Sequence, residues 1–196
     1  MYTRARGVTL IELAVFIAIV GVAMAGLFAA FNTITAASAD PQVRKQVLAI
    51  AESLMDEVAL MPFTYCDPDD PQATTAQSSA VGATGCTAAA AVENIGPEST
   101  PPYGPETRYS ATTPFDNVND YSGFSMAGIR DITNNPIGAL SGYTATITVT
   151  QAGLASGANA IAAADALLIS IAVTGPSGTS VTLEGYRTRY APTTIP

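Results

Sequence analysis

From Val8 to Phe31 the chain is almost wholly apolar, and between Arg6 and Asp40 its only charged residue is Glu12. As a helix rising ~1.5 Å per residue, this run would be roughly 36 Å long, enough to cross a hydrocarbon core of about 30 Å. Asp40-Pro41 then reads as a fresh helix start or a kink, because proline suits a first helical position and disturbs an interior one. Beyond it Val43, Val47, Ile50, Leu54, Val58 and Met61 recur at steps of three or four, while Arg44, Lys45, Glu52, Asp56 and Glu57 fall largely on other faces. The spacing predicts an amphipathic helix to about Met61, whose apolar stripe needs a sheet to cover.

Pro62 to about Gly142 has little periodic order, and residues 71–92, rich in Ala, Thr, Ser and Gly, read as surface loop. So long a loop is unusual inside a compact domain unless it is functional or pinned. Order returns with period two. Tyr143, Ala145, Ile147 and Val149 alternate with threonines, and Leu167, Ile169, Ile171 and Val173 form a second alternating run. The turn Gly175-Pro176-Ser177-Gly178 leads into a third strand over Val181–Tyr190. Alternation implies one buried face. The expected fold class is α+β: a long N-terminal helix packed on a C-terminal antiparallel meander of three or four strands.

Arg4 and Arg6 precede the apolar run and no basic residue follows until Arg44, so the charge bias leaves the N-terminus cytoplasmic and exports the rest. A plain signal anchor would satisfy these features. A cleaved signal peptide would use Ala37-Ser38-Ala39 as its site, although the run is much longer than the usual ~7–15-residue signal core. Neither explains a carboxylate near the start of a membrane-length helix, where an unpaired charge is costly. A short basic leader, Gly7, and Glu12 five positions later resemble the start of a type IV pilin precursor.

That resemblance implies a structural subunit drawn from a membrane pool into a surface fibre. It divides the chain into a leader (1–7), a transmembrane helix (8–40), the amphipathic outer half of the spine (41–62), a variable region (63–142) and the sheet (143–196). It implies that a prepilin peptidase cuts between Gly7 and Val8 and methylates the new N-terminus, although valine stands where the family usually has phenylalanine. Glu12 would pair with the α-amine of Val8 on a neighbouring subunit and set the register of assembly; the alternative is a glutamate that snorkels to the headgroups. The implied partners are other pilin subunits, the peptidase and the assembly machinery of a bacterial inner membrane. The implied location is single-pass in that membrane before assembly and the periplasm or cell-surface pilus after it. Gly21 and Ala25, like Ala14 and Ala18, lie four apart, a spacing that lets helix backbones approach closely.

The formal charge is −8, and loss of Arg4 and Arg6 with the leader makes it more negative, which argues against a nucleic-acid partner. Histidine is absent, so Ser–His and Cys–His pairs are impossible, and no P-loop or dinucleotide fingerprint occurs. The residues therefore point away from an enzyme, and no cofactor is expected apart from a candidate calcium ion. Cys66 and Cys86 both fall on the exported side, where an oxidising compartment favours a disulfide over two free thiols. Two acidic patches, Asp67-Pro68-Asp69-Asp70 and Asp116-Asn117-Val118-Asn119-Asp120, are rich in oxygen donors. Calcium takes six to eight oxygens, and Asp116, Asn117, Asn119 and Asp120 are candidate ligands. Neither patch has the EF-hand spacing, and Asp and Asn also make turns by bonding their own backbone. The stretches Ala49–Leu54, Leu60–Asp70 and Phe115–Tyr121 are further similar to minor pilins of the mannose-sensitive haemagglutinin (MSHA) pilus. A type II secretion pseudopilin, a major pilin and a tip adhesin remain alternatives.

Overall fold

A computed structural model describes residue 7 and residues 9–189, with the backbone alone for 33–40 and 177. The leader residues 1–6 with Arg4 and Arg6, the processing residue Val8, and Tyr190, where the last predicted strand ends, lie outside the described residues. Helix α1 spans Leu10–Leu60. Its start has a local cause: the Thr9 hydroxyl accepts the Glu12 amide at 3.3 Å, as an N-cap side chain does. No fresh helix starts at Asp40-Pro41, because Pro41 lies inside α1. Proline removes one helical hydrogen bond, but strong helix formers (Ala36, Ala37 and Ala39) precede it and an amphipathic run with its own packing follows.

The chain forms two compact units, Met1–Gln42 and Val43–Pro196. In the first, Leu10–Asn32 is long and apolar enough to cross a membrane, with none of its most apolar stretch buried. In the second, the later turns of α1 bury Val47, Ile50, Ala51, Leu54 and Val58, the stripe that the spacing predicted.

That stripe packs on an antiparallel sheet of four strands in the order β1-β2-β3-β4: Ser125–Ala127, Thr144–Gln151, Ala166–Thr174 and Ser180–Thr188. The last three are the predicted strands. β1 is added by the fold; at three residues it is too short to show a period. In register, Ala145 faces Val173, Ile147 faces Ile171 and Val149 faces Ile169, and all six side chains are buried. Each fully buried aliphatic side chain here is worth roughly 1.5–3 kcal/mol over an exposed one. Phe115, Val118 and Tyr121 close the core from the loop region, with the Phe115 and Tyr121 rings edge-on at 5.1 Å. At Gly175, beside the β3–β4 turn, a Cβ would stand 2.9 Å from Val47 Cγ2, so glycine lets that turn approach the helix.

Two arginines fasten the loop region to this frame. Arg108 donates from Nε and Nη2 to the two Glu57 carboxylate oxygens at 2.7 Å each, and the Tyr121 hydroxyl donates to the same carboxylate at 3.0 Å. Arg189, just past β4, donates to the carbonyls of Phe63 and Thr64 and stacks over the rings of Phe63 and Tyr65 at 3.7 and 4.3 Å.

Candidate functional site

Two regions hold the residues of interest. At the N-terminal end, Gly7 is exposed and non-helical, and Glu12 sits exposed in the first turn of α1. Thr9-Leu10-Ile11-Glu12 is an N-cap pattern, so Thr9 has a role that the residue-by-residue reading missed although the spacing of Thr9 and Glu12 carries it. An acid at this position also meets the positive end of the helix dipole.

The second region lies between α1 and β2. Cys66 and Cys86 are joined in a disulfide, with their Cα atoms 5.5 Å apart. Around it Ala73, Ala76 and Ala91 form a small second core. Tyr65, Val92 and Tyr103, partly buried, pack against it. Asp70 staples the same loop: one carboxylate oxygen accepts the Gln72 amide at 2.7 Å, and the other accepts the Thr87 amide at 3.0 Å and the Thr87 hydroxyl at 2.6 Å. Burial pushes the Asp70 carboxyl up, but the hydrogen bonds from Thr87 and Gln72 outweigh it and hold the group below its usual range.

Beside this staple the backbone gathers acids from distant parts of the sequence. The Asp67 amide donates to Ala91 O at 3.0 Å and the Glu93 amide to Tyr65 O at 3.1 Å, which sets Asp67 beside Glu93. The Val118 amide donates to Pro62 O and the Gly96 amide to Asn119 O, each at 3.1 Å, and these bonds bring in the short helical turn Val118–Tyr121. The Glu106 amide donates to Glu98 O at 2.9 Å. Gly104 permits that return, since a Cβ there would lie 2.2 Å from the Glu98 carbonyl oxygen.

The result is a linked set of carboxylates. Oxygens of Glu93, Glu98 and Asp120 lie within 4.8 Å of one another, as do those of Glu106, Asp116 and Asp120. The same holds for Asp67 with Glu98 and Glu106, and for Asp67 with Asp69 and Asp116. Asp67, Glu93, Glu106 and Asp120 are buried, and Asp69 stands exposed. Arg108 is committed to Glu57 and Arg189 pairs with Asp165, so neither guanidinium neutralises the set by contact.

Electrostatically the arrangement is costly. Burial, reinforced by neighbouring acids, pushes the Asp116 carboxyl up to about 8 and that of Glu106 to about 10. Burial likewise raises Asp67 to about 6 and Asp120 to about 7, and it holds Glu93 well above the usual carboxylate range. Both carboxylate oxygens of Glu93, Oδ2 of Asp67 and Oδ1 of Asp120 are buried without a hydrogen-bond partner. A donor set made of carboxylate oxygens suits hard divalent cations rather than zinc or copper.

Of the four candidate ligands read from the sequence, Asp116 and Asp120 lie in this set. Asp120 also caps its own turn, Oδ2 accepting the amides of Asp116 and Asn117 at 2.9 and 2.7 Å. The Asn117 amide group is used structurally, donating to the Thr64 hydroxyl at 2.7 Å and capping the 118–121 turn. Asn119 Oδ1 is buried without a partner. Glu93, Glu98 and Glu106 carry no signal in the sequence, because they are single acids scattered through an aperiodic stretch.

Residues 2–28 match the family model described as the prokaryotic N-terminal methylation motif. No curated protein and no solved structure matches the chain. The match covers the short leader, Gly7, Glu12 and most of the apolar run, so the chain carries a prepilin-type N-terminal methylation signal at the head of a membrane-length helix.

Proposed function

We propose that this chain is a type IV pilin-like subunit, a minor pilin of an MSHA-type pilus, with a structural and assembly role in a bacterial surface fibre rather than a catalytic one. The observation that carries this reading is the methylation motif over residues 2–28, at the head of a helix whose later turns pack on a four-stranded antiparallel sheet. Prepilin peptidase cuts between Gly7 and Val8 and methylates Val8. The membrane holds the subunit with its N-terminus cytoplasmic until the assembly machinery adds it to other pilin subunits. Glu12 is exposed on α1 and available to the α-amine of a neighbour's Val8, where a charge pair in low dielectric is far stronger than in water. The MSHA assignment rests on the similarity of the stretches 49–54, 60–70 and 115–121. The same methylation motif also supports a type II secretion pseudopilin as the second reading.

The test is the intact mass and N-terminal residue of the protein from native membranes and from sheared surface fibres. A chain beginning at methylated Val8 and forming a small share of MSHA-type fibres is the expected result. Its absence from surface fibres, with processing intact, would favour the secretion pseudopilin. A soluble chain beginning at Asp40 would remove the fibre subunit altogether. In the same preparation Glu12→Ala is expected to be cleaved normally but incorporated about tenfold less or worse, the loss that follows from leaving the neighbour's amine unpaired. Normal incorporation of that variant would defeat the pairing.

A further inference from the structure

We propose that Asp67, Glu93, Glu98, Glu106, Asp116 and Asp120 form a calcium site that locks the region between α1 and β2. Buried oxygens in the set lack a donor: both of Glu93, whose residue is 7 % exposed and whose carboxyl lies against that of Asp120, and one each of Asp67 and Asp120, at 1 % and 0 %. Leaving a buried acceptor unpaired costs about 1–3 kcal/mol, and more when it is charged, so several in adjoining carboxylates point to a cation as their partner.

The spacing fits an ion. Each of four overlapping groups of three brings one oxygen per residue within 4.8 Å of the others, close to the spacing of ligands around a common ion at ~2.3–2.6 Å. Histidine is absent from the chain and both cysteines are in the disulfide, so nitrogen and sulfur ligands are not on offer. Calcium is favoured over magnesium by the number of carboxylates and by their origin on irregular loops, because magnesium demands a near-ideal octahedron and keeps its waters.

The ligands come from four separate stretches: the exit from α1 (Asp67), the segment after the disulfide loop (Glu93), the excursion between Glu98 and Glu106, and the capped turn at 116–120. An ion bound there ties them together, much as the disulfide ties Cys66 to Cys86. It also cancels the repulsion that otherwise opposes their approach. This explains how an aperiodic stretch acquires a fixed shape without a large apolar core of its own.

The experiment uses the full chain in detergent micelles, stripped with EDTA and then titrated with calcium chloride or magnesium chloride while thermal unfolding is followed. Calcium is expected to raise Tm by ~5–10 °C at about 100-fold excess over its Kd, with magnesium giving less than about a third of that shift. Among the described residues the Asp116 carboxylate has no hydrogen bond, and the Glu93 carboxyl meets that of Asp120, to which a glutamine can donate, so Asp116→Asn and Glu93→Gln should fold. Each is expected to weaken calcium binding at least about tenfold, whereas Glu52→Gln, at an exposed position on α1, retains the full response. Terbium luminescence excited through tyrosine and quenched by added calcium gives a second readout that does not depend on unfolding. No calcium-specific shift in the unaltered chain up to ~10 mM, or a shift that survives both substitutions, overturns the proposal. So does a chain that ignores calcium while Glu93→Gln is more stable than wild type in EDTA, because the set would then be a proton-sharing cluster without an ion.

Discussion

Arg108→Ala is expected to destabilise the Val43–Pro196 unit by about 3–5 kcal/mol, the range for breaking a buried ion pair from one side. The guanidinium is 4 % exposed and the Glu57 side chain 21 %. Two parallel 2.7 Å bonds hold them, and Arg108 Nη1 also donates to the carbonyls of Arg130 and Asp131 at 3.4 and 3.3 Å. Removing the cation leaves the Glu57 carboxylate with the Tyr121 hydroxyl as its remaining donor among the described residues. It also strips a cation from beside the Tyr109 and Phe124 rings, at 5.2 and 5.7 Å. The measurement is denaturant unfolding of the full chain in micelles. A double variant, Arg108→Met with Glu57→Met, should recover most of the loss, because an apolar replacement of both partners avoids the uncompensated charge. A single-variant loss under about 1 kcal/mol would mean that the pair behaves as a surface salt bridge.

Converting Cys66 and Cys86 together to serine is expected to cost about 3 kcal/mol on the chain-entropy account of a loop of this size. The disulfide spans a sequence separation of 20. The apolar core of that loop is small, three alanines beside the two sulfurs with Tyr65, Val92 and Tyr103 packed against them, and the Asp70 staple and a few backbone hydrogen bonds are its polar ties. The cost should therefore fall on the loop first. Amide hydrogen exchange should show lost protection around residues 67–93 before β2 and β3 are affected, and a uniform loss across the sheet would contradict this. The same variant should weaken calcium binding, since Asp67 and Glu93 flank the cross-link on either side of the Cys66–Val92 bridge.

The two ends of the chain were legible because their signals are local. An apolar run longer than a signal core, with one acid near its start, needs no tertiary contact to be recognised, and period two gives the strands 144–151, 166–174 and 180–188 directly. The helical stripe from Val47 to Val58 is equally plain. Proline at 41 does not start a new helix, because its local cost is real but smaller than the combined preference of the turns on either side. β1 was hidden by its length: Met126 is its one buried side chain, and it becomes a strand by pairing with β2.

The sequence by itself determined the membrane-length helix with its methylation signal, the amphipathic continuation and the antiparallel sheet, since each rests on periodicity or on a motif a few residues long. The tertiary structure decided the middle of the chain. Asp67, Glu93, Glu98, Glu106, Asp116 and Asp120 are spread over more than fifty positions, and backbone hydrogen bonds between loops bring them together. A lone acid in a loop looks the same in sequence whether it faces water or five other carboxylates. Charge repulsion and desolvation arise only once the chain has closed around it, and those are the forces that turn scattered acids into a candidate cation site.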